Sequence, residues 1–198
     1  MKSKVVFSFT AISMVVMLAG CGKVPQTQID AVNSAIDSAK VLEAYVYVPS
    51  EMAAVQDSMK AIMVEVEVQK SKLFRKFGEV EEKLTETLEA TEKVQTNAVA
   101  RKAEVKSKVE TLLSDINTVI DENTKLFPRA PRGKEGNAVL EQMKTEMTTV
   151  ESSVAEARTL YDKGAYWDAF GKITAAKETA DKINTELKDA IRKVGGRI

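Results

Sequence analysis

The chain has 198 residues, with 29 basic and 29 acidic side chains, 44% hydrophobic residues, one cysteine and no histidine. That balance leaves no basic excess for nucleic acid, and a single cysteine leaves no disulfide within the chain. The missing histidine excludes Ser–His and Cys–His nucleophilic sites, the usual zinc sites and the Glu-x-x-His pairs of di-iron bundles, so no catalytic residue, metal ligand set or cofactor is expected.

Lys2 and Lys4 give the N-terminus a short positive region, and an apolar run follows from Val5 to Met17, broken only by Ser8, Thr10 and Ser13. The run is shorter than the roughly 20 residues that span a bilayer and fits the apolar core of a secretory signal peptide. It ends in Leu18-Ala19-Gly20-Cys21. These four residues resemble the lipobox of bacterial lipoprotein precursors. That resemblance implies cleavage between Gly20 and Cys21, diacylglycerol on the Cys21 sulfur and acylation of the new N-terminus. The expected organisation is a signal peptide over 1–20, a lipidated N-terminus and short tether over 21–26, and a helical domain over 27–198. Acyl chains contribute about 0.8 kcal/mol per buried methylene, so two or three chains anchor essentially permanently. Gly22 replaces the Asp that commonly retains such lipoproteins at the inner membrane. The resemblance therefore implies outer-membrane residence facing the periplasm in a two-membrane host. Without Lys2 and Lys4 the remainder has 27 basic against 29 acidic side chains, a formal charge of −2.

From Gln26 the apolar spacing is helical almost throughout. Ile29, Val32, Ile36, Ala39 and Leu42 mark a first amphipathic helix, ending before Tyr45-Val46-Tyr47-Val48-Pro49, where β-branched residues and proline disfavour continuation. Ser50 is the expected N-cap of a second helix carrying Met52, Val55, Met59, Ile62 and Val66. Leu73, Phe77, Val80, Leu84, Leu88, Thr91, Val94, Ala98, Val105, Val109, Leu112, Ile116, Val119 and Leu126 then hold a period near 3.5 residues. Unbroken, the second helix would run about 75 residues, or roughly 110 Å. The polar step Gln69-Lys70-Ser71-Lys72 and the helix-weakening Gly78 favour a turn near 69–73 and a helix of about 50 residues beyond it.

Two prolines and two glycines between Phe127 and Gly136 predict a loop, after which Asn137 is the expected cap of a helix bearing Leu140, Met143, Met147, Val150, Val154, Ala157 and Leu160. Lys163-Gly164 predicts a helix end with glycine in the left-handed region. Tyr166, Phe170, Ile173, Ala176, Ala180, Ile183, Leu187, Ile191 and Val194 mark the last helix, before Gly195-Gly196. The predicted fold is all-α, an elongated, antiparallel, coiled-coil-like bundle.

The positions Ala157, Leu160, Tyr161, Gly164, Tyr166 and Ala169 resemble the turn of a tetratricopeptide hairpin. Ala44, Tyr47, Pro49, Ser50 and Glu51 resemble the opening of an uncharacterised helical domain of bacterial lipoproteins that also ends in such a hairpin. The resemblance implies protein–protein contact. The residues from Thr87 to Asn137 do not fit a 34-residue repeat.

Several features admit both a functional and a bland reading. Carboxylates such as Glu79, Glu82, Glu86 and Glu89 alternate with lysines as on a solvated helix face. The pairs Met59/Met63 and Met143/Met147 have the spacing of soft Cu(I) ligands, but methionine also fills core gaps, and core packing is the expectation. Trp167 heads an aromatic group with Tyr161, Tyr166 and Phe170; packing is expected for most of it, with Trp167 at an edge. Arg129, Arg132 and Lys134 in the 127–136 loop are candidate contacts for an acidic partner or a phosphate headgroup, against the expectation of a solvated turn. Leu84 and Leu88 are candidate contacts for a second copy or a helical partner, because the seam from Val80 to Val105 is expected to outrun its covering helices. The functional expectation is a lipid-anchored envelope scaffold or adaptor rather than an enzyme, the alternative being a ligand- or metal-binding bundle.

Overall fold

The computed structural model describes residues 22–195, so Gly20 and Cys21 lie outside the described residues. Among these, every regular element is helical: α1 (Gln26–Val41), the single turn α2 (Ala44–Tyr47), α3 (Pro49–Lys70), α4 (Gly78–Leu126), a 3-10 turn (Phe127–Arg129), α5 (Lys134–Asp162) and α6 (Tyr166–Lys193). No described helix is long and apolar enough to cross a membrane.

α4 is the spine. Its 49 residues extend roughly 73 Å at 1.5 Å per residue. Buried positions follow one another as Val80, Leu84, Thr87, Thr91, Val94 and Ala98, and the stripe resumes at Val105, Val109, Leu113 and Ile116. Steps of three and four residues keep such a stripe on one face of a gently supercoiled helix. Where the stripe lapses, Arg101 and Lys102 are half-buried.

Two three-helix bundles share this spine, α1 and α3 on its first half and α5 and α6 on its second. α1 lies parallel to α4: Gln95 donates to the Ala35 carbonyl at 2.8 Å and Lys102 pairs with Glu43, at sequence separations of 60 and 59. α3 returns antiparallel, tied by Lys83–Glu65 and by the Asn97 amide donating to Glu51 at 2.8 Å. In the second bundle α6 is parallel to α4, with Asn184 donating to Asn123 at 2.8 Å, and α5 is antiparallel, with the Tyr161 hydroxyl donating to Glu110. The core follows this division. One apolar cluster joins α1, α3 and the start of α4, and two others run through the second bundle.

The connections explain themselves locally. Pro49 opens α3, where its fixed φ suits a first helical turn and its missing N–H is not needed. The α5–α6 turn has Gly164 at φ +80°. Its N–H donates to the Tyr161 carbonyl at 2.9 Å, and the Ala165 N–H to the Leu160 carbonyl at 3.0 Å, the paired bonds of a Schellman cap.

The break between α3 and α4 falls at residues 71–77, overlapping the turn expected near 69–73, and the helix after it has the expected length. Other expectations are corrected. The seam from Val80 to Val105 is covered: Leu84 is 0% exposed and Leu88 is half-buried against the first cluster, because α1 and α3 both lie along the start of α4. Leu73 belongs to the turn rather than the α4 stripe, and Leu113 rather than Leu112 is the buried member near the centre. Ser50 does not cap α3, since Val48 occupies that position and proline starts the helix. Asn137 lies inside α5, its N–H already bonded to the Gly133 carbonyl at 3.0 Å. The 127–136 loop narrows to residues 130–133 between the 3-10 turn and α5.

Candidate functional site

The polar lapse in the α4 stripe is where the two bundles meet, and side chains from four helices converge there. α2 contributes Tyr47, α4 contributes Lys102, Lys106 and Glu110, α5 ends in Tyr161, and α6 begins with Tyr166, Trp167 and Phe170. Tyr47 meets Trp167 edge to face, with ring centroids 6.2 Å apart and planes at 89°. Trp167 leans on Phe170 at 6.3 Å, and Tyr161 on Tyr166 at 5.3 Å. These are the offset and edge arrangements that ring quadrupoles favour.

Cations line the same rings. Lys102 Nζ is 5.7 Å from the Tyr47 centroid and 6.0 Å from that of Tyr166, and Lys106 Nζ is 5.9 Å from Tyr161 and 5.7 Å from Tyr166. The Lys102 ammonium also pairs with Glu43. Glu43 has φ +58°, a left-handed conformation that a residue with a Cβ adopts at a cost of order 1 kcal/mol or more. The strained turn directs the chain from α1 into α2, and its carboxylate secures the lysine that faces the aromatic group.

The electrostatics hold these groups in fixed protonation states. Burial pushes the Tyr47 phenol above its ordinary range, against a smaller opposite pull from Lys102. The hydrogen bond to Glu43 raises the Lys102 pKa. Donation to Glu110 raises the Tyr161 pKa to about 12. Each shift favours the protonated form of its group, the neutral phenol of Tyr47 and Tyr161 and the ammonium of Lys102.

Most of the aromatic group is packed, as expected, while Trp167 is 41% exposed. By the parallel register of α1 on α4, Val41 and Val99 fall at this same level, and both are exposed, as is the neighbouring Tyr45. The junction thus combines an exposed indole with a buried Tyr47 and half-buried Tyr161, Tyr166, Phe170, Lys102 and Lys106. Such a surface suits contact with another protein, in which Trp and Tyr are favoured anchors.

The other sequence candidates are scattered. Leu84 is within the first core and carries no exposed surface. Arg129 and Arg132 are exposed at the far end of the spine, and Lys134 opens α5. Met59, Met143 and Met147 are buried in the cores, and among the described residues no three His, Cys, Asp or Glu side chains group as a metal ligand set. Two clefts of about 290 and 360 Å³ are shallow grooves, one between α4 and α5 at Phe127 and Met147, the other between α5 and α6 at Val150 and Ala176.

Sequence reasoning missed Tyr47, Lys102, Lys106, Glu43 and Glu110 as parts of one group. The available signal was the lapse of the apolar stripe at Arg101-Lys102. No family model, curated protein or solved structure matches the chain.

Proposed function

We propose that this is a lipid-anchored scaffold of the bacterial cell envelope, which presents the junction around Trp167 to a protein partner. The observation that carries the anchoring is the sequence Leu18-Ala19-Gly20-Cys21 directly after a charged start and an apolar run. α1 begins at Gln26, so only a few residues separate the anchor from the rigid helices. The spine then carries the junction away from the membrane. Its role is positional rather than catalytic. Gly22 in place of an Asp supports outer-membrane residence, facing the periplasm, in a two-membrane host.

Cys21→Ser tests the anchoring, because serine cannot form the thioether. The expected result is an uncleaved, unlipidated chain in envelope fractions of the native host. Processing to the same mature mass, with full membrane retention, would overturn the reading. In the same preparations Trp167→Ala should weaken crosslinking to the partner; a crosslinking pattern identical to that of the unaltered protein would remove the junction from the proposal.

A further inference from the structure

The α3–α4 turn does something unusual with its side chains. Leu73 is 91% exposed and Phe74 is 81% exposed. Phe77, three residues on, is buried in the first cluster and anchors the turn. The exposed pair is therefore held outward by a fixed backbone. Val68 and Val64 continue the apolar surface down the outside of α3.

Basic residues share the turn with this apolar pair, flanked by Glu67 on α3 and by Glu79, Glu81 and Glu82 at the start of α4. Between Lys70 and Phe77 the chain has four basic and no acidic side chains, Lys70, Lys72, Arg75 and Lys76. Lys70 is tied to Glu67 at 2.7 Å, while Lys72, Arg75 and Lys76 are exposed. This local excess sits in a chain whose formal charge without its first twenty residues is −2. Exposed Leu and Phe beside Lys and Arg is the chemistry that binds an anionic lipid surface: rings and aliphatic chains enter the interface while cations meet phosphate headgroups.

The topology puts the tip at the end of the molecule where the chain enters. Because α1 is parallel to α4 at an offset near 60 residues, Gln26 is level with residue 86 of the spine, about 12 Å along the axis from Gly78. Val24, just before α1, packs against the first cluster, and the Gln26 N–H donates back to the Val24 carbonyl at 2.8 Å. The chain therefore enters the first bundle near the end that carries Leu73 and Phe74. The opposite end of the spine, with Pro128 and Arg132, is about 70 Å away.

We infer that the Lys72–Lys76 tip is a second membrane contact, inserting Leu73 and Phe74 into an anionic bilayer surface beside the lipid on Cys21. Its placement rests on the anchoring reading above, but its chemistry does not. Two contacts fix the tilt of the spine, which a lone acyl anchor on a flexible tether cannot do.

The test uses the chain from residue 21 onward carrying Cys21→Ser, which has no lipid, and vesicles of phosphatidylcholine with or without phosphatidylglycerol. Sedimentation with the anionic vesicles is expected, and its absence with the neutral ones. Leu73→Ser/Phe74→Ser and Lys72→Glu/Arg75→Glu should each weaken that binding by about tenfold or more, with helical content and melting temperature unchanged because all four residues are exposed. Equal vesicle binding by the parent chain and both double variants would overturn the inference, as would a parent that fails to bind. So would self-association through the tip, seen as dimers of the parent that Leu73→Ser/Phe74→Ser abolishes while vesicles stay unbound. Because lipid is absent throughout, these outcomes are independent of whether Cys21→Ser alters processing in the host.

Discussion

The two bundles share a spine but are held to it differently. The first covers α4 with helices of 16 and 22 residues and an almost wholly apolar seam. Among the described residues, its buried polar members Thr87 and Thr91 return their hydroxyls to the preceding turn of their own helix at 2.8 and 2.7 Å. Its cross-helix polar ties lie on the surface, as Lys83–Glu65 does, or half-buried, as the Gln95 bond to the Ala35 carbonyl is. The second has helices of 29 and 28 residues and a buried polar lock. Asn123 donates to the Ala180 carbonyl at 2.9 Å and accepts from Asn184, which also reaches Glu122 at 3.0 Å. An apolar seam rewards burial at any register that fits, whereas a buried amide is satisfied at one register only. The first bundle is therefore the more easily lost half, and the second the more narrowly specified one.

The largest expected effect comes from breaking the first half alone. Leu84 is fully buried among side chains of α1, α3 and α4. Leu84→Ala should cost about 2–5 kcal/mol, the range for truncating a buried leucine. Amide exchange should show α1 and α3 losing protection while α5 and α6 keep theirs. Equal loss across both halves would mean that the spine unfolds as one cooperative unit and that the contrast drawn here is not energetic.

A smaller effect is expected from the lock. Asn123→Ala leaves the Asn184 amide short of a partner in a buried site, a cost of about 1–3 kcal/mol, read from urea denaturation. Asn123→Leu combined with Asn184→Leu should recover much of that stability, since removing both partners removes the unmet hydrogen bonds. If the double variant is no more stable than the single one, packing rather than polar satisfaction governs the site.

Helix ends were legible in the sequence wherever a residue changes the backbone chemistry outright. Gly164 terminates α5 in the left-handed region, and Pro49 sits at the start of α3. The apolar stripe of α4 was legible too. Which helices cover it was not, because periodicity describes one helix and says nothing of its neighbours. The seam at Leu84 was expected to stand open since the parallel path of α1 leaves no mark on the sequence of α4. Leu73 failed for a related reason: its spacing to Phe77 and Val80 continues the period even though the backbone is not helical there. The junction was half visible, as an aromatic group without its lysines. Asn123 and Asn184 were hidden altogether, since an asparagine at a core position reads from sequence as a solvent-facing one.

The smallest effect lies between the halves, and pH reaches it. Tyr161 carries its proton in the folded chain up to about pH 12, chiefly because it donates to Glu110, whereas a tyrosine in an unfolded chain ionises near 10. A folded pKa above the unfolded one means that the interaction contributes in full below about pH 10 and is lost as pH rises towards 12. Tyr47, raised by burial, and Lys102, raised by its bond to Glu43, act in the same direction. Alkali should therefore loosen the junction before it disturbs either core, with Trp167 fluorescence shifting before helical content falls. Tyr161→Phe keeps the ring against Tyr166 but removes the proton, so a phenolate absorbance step near pH 12 should vanish. Glu110→Gln should instead move that step down towards the ordinary tyrosine range, because a neutral amide still accepts the hydrogen bond but no longer opposes the phenolate charge. A step near pH 12 that survives both substitutions belongs to another tyrosine, and the Tyr161–Glu110 bond then plays no part in the alkaline response of the junction.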